Sequence, residues 1–494
     1  MKHPLNLYSA QAVKALDAAA IEQQQIRGLT LMERAAQATF QAVCSNFPVV
    51  TQAQAHWVLV CGLGNNAGDA YVIARLAHVA GYAVRVLQLG DVQKLRGDAR
   101  AAYQALCALG VTVQAFSPAL LTPATVIVDG IFGIGLDRLV SDEWAAAIEA
   151  INQHPAPVVA VDIPSGLHPD TGCVLGVAIK AQLTVSFIGL KQGMFTAEGV
   201  EYCGKIHFDD LQVPAQIYAQ VLPSARRLDA DNRLRLPPRP RQAHKGDFGH
   251  LLLIGGDLGM SGAILLAGQA AARAGCGKVT IATHPEHAAW LTLTQPELMC
   301  RGVYTPEDLQ PLLQHASVIA IGPGLGQSDW AWMLFNAVIQ QHKPLVLDAD
   351  ALNLLAKAPI KPMQAVLTPH PAEAARLLQC HTAQIQADRF AAVRQIQQKF
   401  GGVCVLKGAG TLIANAQDGI SLCSAGNPGM ASGGMGDLLT GLIGSLAAQI
   451  SDLHTAALMG VCLHAAAGDL AAQEGERGLL ASDLLPWIRH LLNT

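Results

Sequence analysis

Asn427-Pro428-Gly429-Met430-Ala431-Ser432-Gly433-Gly434-Met435-Gly436-Asp437-Leu438-Leu439-Thr440-Gly441 is the stretch whose reading decides how the second half of this chain is built. Glycines crowd a turn, a carboxylate closes it, and an apolar run to residue 450 follows. Small residues at Gly433, Gly434 and Gly436 leave main-chain N–H groups open at a helix start, where they hold a phosphate or a developing oxyanion. Asp437 falls in the first helical turn beside that cradle. A carboxylate there accepts a proton from a substrate hydroxyl while a phosphoryl group is held next to it. The same spacing equally serves a flexible glycine loop with Asp437 favouring the helix dipole.

Upstream, strand-like runs at 251–254, 278–282, 318–321, 345–347, 365–367 and 403–406 alternate with helical patterns at 262–274, 330–340, 372–379 and 385–400. Alternation of this kind predicts a mostly parallel sheet with helices on both faces. Ligands of such sheets lie at the carboxyl ends of the strands. Four clusters fall there: residues 255–263, rich in glycine and including Ala263; Gly322-Pro323-Gly324-Leu325-Gly326; Thr368-Pro369-His370-Pro371, with Glu373 in the next helical turn; and Lys407-Gly408-Ala409-Gly410-Thr411, in what reads as a hairpin. Any one of them is explained as a plain turn. Four at equivalent ends, converging with Gly436 and Asp437, predict a shared pocket.

The first half alternates in the same way, with strands at 56–61, 83–89, 125–129, 158–162 and 184–188 and helices at 69–80 and 144–152, but without a detectable repeat of the second half. Two helices, 9–24 and 30–46, precede it, with Ala12, Leu16, Ala19 and Ala20 on one face of the first. Glycine-rich turns follow three strands. Gly62-Leu63-Gly64-Asn65-Asn66-Ala67-Gly68-Asp69 is spaced GxGxxxG rather than GxGxxG, a weak dinucleotide fingerprint, and Asp91 reads as a loop acid. The others are Asp129-Gly130-Ile131-Phe132-Gly133-Ile134-Gly135-Leu136 and Asp162-Ile163-Pro164-Ser165-Gly166-Leu167. Asn66, Asp129 and Ser165 set oxygen donors at strand ends, suited to a weakly held monovalent cation and equally to capping turns. Between 221 and 242, Pro223, Pro237, Pro238 and Pro240 mix with Arg226, Arg227, Arg233, Arg235, Arg239 and Arg241. That composition reads as a connector, a basic proline-rich binding peptide being the rarer alternative. The expected organisation is α/β in two domains, 1–220 and 243–494, joined by 221–242.

At 494 residues the chain exceeds one ordinary core. A net charge of −4 leaves no basic field for nucleic acid. The 11 cysteines lack metal spacing and read as small buried hydrophobes in a reducing compartment. No signal peptide and no run of ~20 apolar residues is evident, so a cytoplasmic protein, free of membrane contact, is expected.

His244-Lys245-Gly246-Asp247-Phe248-Gly249, Leu367-Thr368-Pro369-His370-Pro371-Ala372-Glu373, the 407–411 turn and the 427–441 stretch together resemble the motif set of the ADP/ATP-dependent NAD(P)H-hydrate dehydratases. That resemblance implies a ribokinase-like α/β domain that phosphorylates the ring hydroxyl of hydrated NADH or NADPH and then eliminates phosphate. It implies Asp437 as the base, and Lys407, Gly408, Ala409, Gly410, Thr411 and Gly436 on the nucleotide. Ala263, Gly324, Gly326, His370 and Asp437 would line the hydrate pocket, His370 being also readable as a packed turn residue. ADP as donor, Mg²⁺ as cofactor and a homo-oligomer are expected with it.

The three N-terminal turns, with Thr30-Leu31-Met32-Glu33-Arg34-Ala35, resemble the NAD(P)H-hydrate epimerase domain, a Rossmann-like three-layer sandwich. By that resemblance Asn66, Asp129 and Ser165 bind potassium. Asn65, Asn66, Ala67, Gly68, Asp69, Gly133, Ile134, Gly135, Leu136, Asp137, Arg138, Leu139 and Asp162 meet the hydrate, with Asp162 the proton-transfer residue. One departure stands out: the family's Asn-Gly-Gly-Asp-Gly is here Asn66-Ala67-Gly68-Asp69-Ala70. Extra methyls where backbone approaches a ligand predict a weakened epimerase. The rival enzyme reading is a ribokinase-like small-alcohol or vitamin kinase fused to a non-catalytic nucleotide-binding domain.

Overall fold

Short β-branched and leucine-rich runs, buried on both faces, form the centre of each half of the molecule. The computed structural model describes residues 5–52, 54–228, 235–358 and 360–494, so Arg233 of the expected connector and residues 1–4 of the N-terminal reading lie outside the described residues. The chain divides into two units, Met1–Arg226 and Arg227–Thr494.

In the first unit seven parallel strands run in the spatial order Val113–Ala115, Ala83–Gln88, His56–Cys61, Val126–Gly130, Val158–Val161, Leu183–Phe187 and Lys205–Asp209. Strand order reverses beside His56–Cys61, which pairs with Ala83–Gln88 on one side and Val126–Gly130 on the other. A crevice opens at the carboxyl ends of strands at such a switch point. Helices Gly28–Asn46 and Asn65–Val79 cover one face, and Asp142–Asn152 packs on the other.

In the second unit seven parallel strands run Met299–Gly302, Lys278–Thr283, His250–Ile254, Val318–Ile321, Leu345–Leu347, Ala365–Leu367 and Val403–Leu406, and Thr411–Ala414 and Ile420–Cys423 follow antiparallel. The switch point lies between His250–Ile254 and Val318–Ile321.

Two expectations are corrected. The segment read as connector from 221 contains a strand, Ala225–Leu228, paired with Asn6–Tyr8 through Leu7 and Ala225. Its partner lies more than 200 residues away, so no local periodicity announces it. The helix expected over 385–400 breaks into Thr382–Ala387 and Arg389–Phe400, because the Asp388 side chain accepts from Ala391 N and starts a new helix. The helix Leu453–Ala471 also lies in a segment long and apolar enough by length and composition to cross a membrane, although no uninterrupted run of ~20 apolar residues is present; 67% of its most apolar stretch is buried within the fold.

Helix Met435–Gln449 crosses helix Ser261–Arg273 at very short range. A Cβ on Gly441 would stand 1.9 Å from the Ala267 carbonyl oxygen. Gly441→Ala must therefore push the two helices apart, and a loss of about 1–3 kcal/mol is expected, read as a lower midpoint in chemical denaturation.

Candidate active sites

In the second unit the glycine turn ends as the sequence suggests. Gly434 takes φ 89° as N-cap and Asp437 sits, half-buried, in the first turn of Met435–Gln449. Gly436 faces the ion pair beneath it: a Cβ there would lie 3.3 Å from Lys407 Nζ and 3.7 Å from Asp348 Oδ2. Lys407 Nζ donates to Asp348 Oδ1 at 2.7 Å, and Asp348 also accepts from Thr368 Oγ1 at 2.8 Å and Thr440 Oγ1 at 2.6 Å. Glu373 Oε2 stands 3.9 Å from Lys407 Nζ.

Charge in this cleft is finely set. Burial raises the Asp437 carboxyl to about 6, with Asp348 and Asp350 adding to the rise and Lys407 opposing it. Burial likewise lifts Glu373 to about 7 against the pull of Lys407. Asp348 stays below its ordinary value: its burial opposes ionisation, but Lys407 and the two hydroxyl donors outweigh it.

His370 caps helix Pro371–Leu378, accepting at Nδ1 from Ala372 N at 3.1 Å, with Nε2 3.3 Å from Glu373 Oε1. The turn role and a position at the cleft therefore coexist. Burial, then Lys407 and Arg376, lower its imidazole pKa. Gly324 packs against Ala263, whose Cβ would be 3.2 Å from a Cβ at 324. Gly326 N donates to Asp350 Oδ2 at 2.9 Å. The Gly408–Thr411 turn is braced from below by Arg389, fully buried, whose guanidinium donates to the Leu406, Lys407 and Gly410 carbonyls. Ala409 is exposed at its tip, and Thr411 Oγ1 donates to the Gly408 carbonyl at 3.0 Å.

In the first unit a cavity of about 540 Å³ opens at the switch point. Asn65, Asn66, Asp69, Gly133, Ile134, Gly135, Leu136, Asp137, Arg138 and Asp162 line it, joined by Asp17 and Asp98. Asp162 is held at φ 66°, in a region unfavourable to side-chain-bearing residues. Its Oδ1 accepts from Lys191, a lysine with no exposed surface whose ammonium also donates to Ser186 Oγ at 3.0 Å and to the Phe187 carbonyl at 3.2 Å. Burial, then the charges of Asp162 and Asp17, hold the Asp69 carboxyl well above the ordinary range.

Asp129 is fully buried under the cavity, accepting from Ser165 Oγ at 2.6 Å, Ser165 N at 2.8 Å and Ile131 N at 3.1 Å. Burial lifts its carboxyl to about 6 against those donors. Asn66 Nδ2 donates to the Phe132 carbonyl at 2.9 Å, and Phe132 N donates to Ser165 Oγ at 2.8 Å. The three oxygen-bearing side chains thus meet around one turn.

Three sequence-chosen residues do not line this cavity. Ala67 and Gly68 point into the core: Ala67 has no exposed surface, and a Cβ on Gly68 would collide with Met32 Cε at 2.4 Å. Leu139 is 70% exposed beyond the rim. The departure at Ala70 is likewise turned inward, its Cβ 2.5 Å from where a Cβ on Gly130 would sit. Neither Ala67 nor Ala70 projects its methyl toward the cavity, so the steric ground for a weakened site is absent. Lys191 and Asp17 went unnoticed because nothing local marks them. Asp348, directly after the strand Leu345–Leu347, also went unnoticed, although the strand-end rule points to its position.

The NAD(P)H-hydrate dehydratase family matches residues 251–489, and the family described as YjeF-related protein N-terminus matches residues 28–193. The chain is 46% identical over 489 residues to the bifunctional NAD(P)H-hydrate repair enzyme Nnr of Coxiella burnetii, with 99% of each chain covered. It is 43% identical over 477 residues to the enzyme of the same name in Escherichia coli, covering 96% of this chain and 92% of that one. Among solved structures, a ribokinase-like superfamily protein of Enterococcus faecalis matches with TM-score 0.50 and 30% identity over 55% of this chain and 96% of that chain. With two such domains in one chain and near-complete coverage of these relatives, the protein belongs to the family of bifunctional NAD(P)H-hydrate repair enzymes.

Proposed function

We propose that the chain repairs hydrated NADH and NADPH: the first unit interconverts the R and S hydrates, and the second dehydrates the S hydrate, converting ADP to AMP and phosphate. The observation that carries this reading is the cleft where Asp437, with a raised carboxyl pKa, stands over the Lys407–Asp348 pair at a glycine-lined helix start. In it Asp437 Oδ accepts the ring-hydroxyl proton as the hydroxyl oxygen attacks the terminal phosphoryl group. The N–H groups around Gly434 and Gly436 take charge developing on that group, and Lys407 to Thr411 seat the nucleotide. The phosphate then leaves with its bonding electrons, pushed by the ring nitrogen, and a neighbouring ring proton is lost. Mg²⁺, which the family resemblance implies, would supply positive charge to the diphosphate when bound.

In the first unit Asp162, positioned by Lys191, carries the proton at the hydrated ring carbon's hydroxyl, and Asp69, held toward its neutral form, faces it as a donor. Potassium would sit among Asn66, Asp129, Ser165 and the Phe132 carbonyl, an all-oxygen set fitted to a hard cation. A cytoplasmic setting fits cysteines that form no disulfide among the described residues, and a homo-oligomer completes the reading.

Two outcomes test it. With mixed hydrates, ADP, Mg²⁺ and potassium, Asp162→Asn is expected to restore only the S fraction quickly, by absorbance in the reduced-nicotinamide band; rapid full recovery would remove Asp162 from the epimerase. The ionised Asp437 is the active form, so dehydratase kcat/KM should rise about tenfold per pH unit up to about pH 6 and level off above it. A pH-independent profile between 5 and 7 would contradict the assignment.

A further inference from the structure

The second unit carries another cavity, of about 780 Å³, lined by Arg235, Arg239, Arg273 and Arg489 and by no Asp or Glu. It lies at the opposite end of helix Ser261–Arg273 from Ala263: the helix starts at the dehydratase cleft, and its 13 residues place the cavity about 20 Å away. In a chain of net charge −4, four guanidiniums around one hollow need an explanation.

Part of it is local. Arg273 and Arg489 stand in the last turns of their helices, Ser261–Arg273 and Leu484–Leu491, where cations offset the dipole. Each helix end carries only roughly half a unit of negative charge, so two ends leave most of the positive charge uncompensated. Arg235 donates to the main-chain oxygen of Thr494. Arg239 lies over the Phe248 ring at 3.6 Å and donates to the Gly275 carbonyl and to Gln449 Oε1 at 3.2 Å. The contacts of Arg239 are to neutral groups and fix its side chain without neutralising it. Among the described residues none of the four guanidiniums is paired with an Asp or Glu.

The remaining lining is apolar, with Leu236, Pro237, Pro238, Leu463, Leu491 and Leu492. The volume is that of a small-molecule site, roughly 300–1,000 Å³. We propose that this cavity is a second ligand site, separate from the dehydratase cleft, for a nucleoside polyphosphate whose phosphates meet the arginine forks and whose base lies on the leucine–proline wall. Guanidinium forks match phosphate oxygens in pairs, and the apolar wall gives a ring system the place that a bare anion or an acidic peptide would leave unused. The proline–arginine segment thus contributes Arg235 to Arg239 as part of a binding surface as well as a connection.

Calorimetric titration of the full chain with ADP tests this. Wild type is expected to bind two molecules per chain. Arg273→Ala/Arg489→Ala should keep the cleft site and dehydratase kcat/KM while weakening the second site at least tenfold. Arg489→Glu alone, a reversal at an exposed position, should weaken it as well. A single site in wild type, or a second site untouched in both variants, overturns the proposal. Inorganic tripolyphosphate binding there as tightly as ADP also overturns it, because the apolar wall would then contribute nothing.

Discussion

Asp437→Asn is expected to slow dehydration of the S hydrate by about 10²–10⁴-fold, the typical worth of a placed general base, with the KM for ADP nearly unchanged. Phosphoryl transfer takes most of its help from positioning and charge stabilisation, and those parts remain in the variant: the Gly434 turn, Lys407 and Asp348 are untouched. Stability should move the other way. The Asp437 carboxyl is raised in the folded protein, chiefly by burial. Its charged form therefore opposes folding at pH values above the ordinary carboxylate range, and that opposition is in full force once pH passes about 6. A neutral amide removes it, so the melting temperature at pH 7.5 should be equal to or higher than wild type. Loss of activity together with loss of stability would make Asp437 a structural residue.

Lys407→Met is expected to cost about 3–5 kcal/mol, the penalty for removing one partner of a buried pair. For a unit of this size that corresponds to a melting temperature lower by about 6–20 °C. Asp348 would be left 1% exposed with only the Thr368 and Thr440 hydroxyls as donors. The pH dependence has a defined sign. Asp348 is depressed in the fold, so its contribution is present above the unfolded carboxyl pKa of about 4 and fades as pH falls through its lower folded value. Lys407 is opposed by burial yet raised by Asp348 and Glu373, so its contribution is full below its unfolded pKa of about 10.4 and fades as pH climbs through the folded value. The gap between wild type and variant should accordingly be widest near neutral pH and narrow below about pH 4. Nucleotide-dependent turnover should be lost in the same variant. A melting temperature within 2 °C of wild type would show that the pair does not hold the cleft.

The strands Val318–Ile321, Leu345–Leu347, Ala365–Leu367 and Val403–Leu406 were legible to the residue, because central parallel strands are buried on both faces and read as unbroken apolar runs. Edge strands such as Met299–Gly302 and Lys205–Asp209 carry exposed and charged residues and gave no such signal. Strand-end glycine clusters led to the turns that border both clefts, since the switch-point geometry places turns there. What lay beneath those turns was not legible. Lys191 follows a two-residue strand, Leu190–Lys191, and meets Asp162 only through the tertiary fold. Arg389 braces the Lys407 turn from a helix break that the 3.6-residue pattern ran straight across. The alanines at 67 and 70 misled for a related reason: sequence places them in a ligand loop, whereas the helix begins at Asn65 and turns both methyls into the core.

The most direct test supplies the S hydrate of NADH with ADP and Mg²⁺ and follows both the reduced-nicotinamide absorbance and the nucleotide products. The account predicts one reduced cofactor, one AMP and one phosphate formed per hydrate consumed. AMP formed with a stable phosphorylated product and no recovered absorbance, or no turnover with either ADP or ATP, would contradict it and favour a small-alcohol kinase.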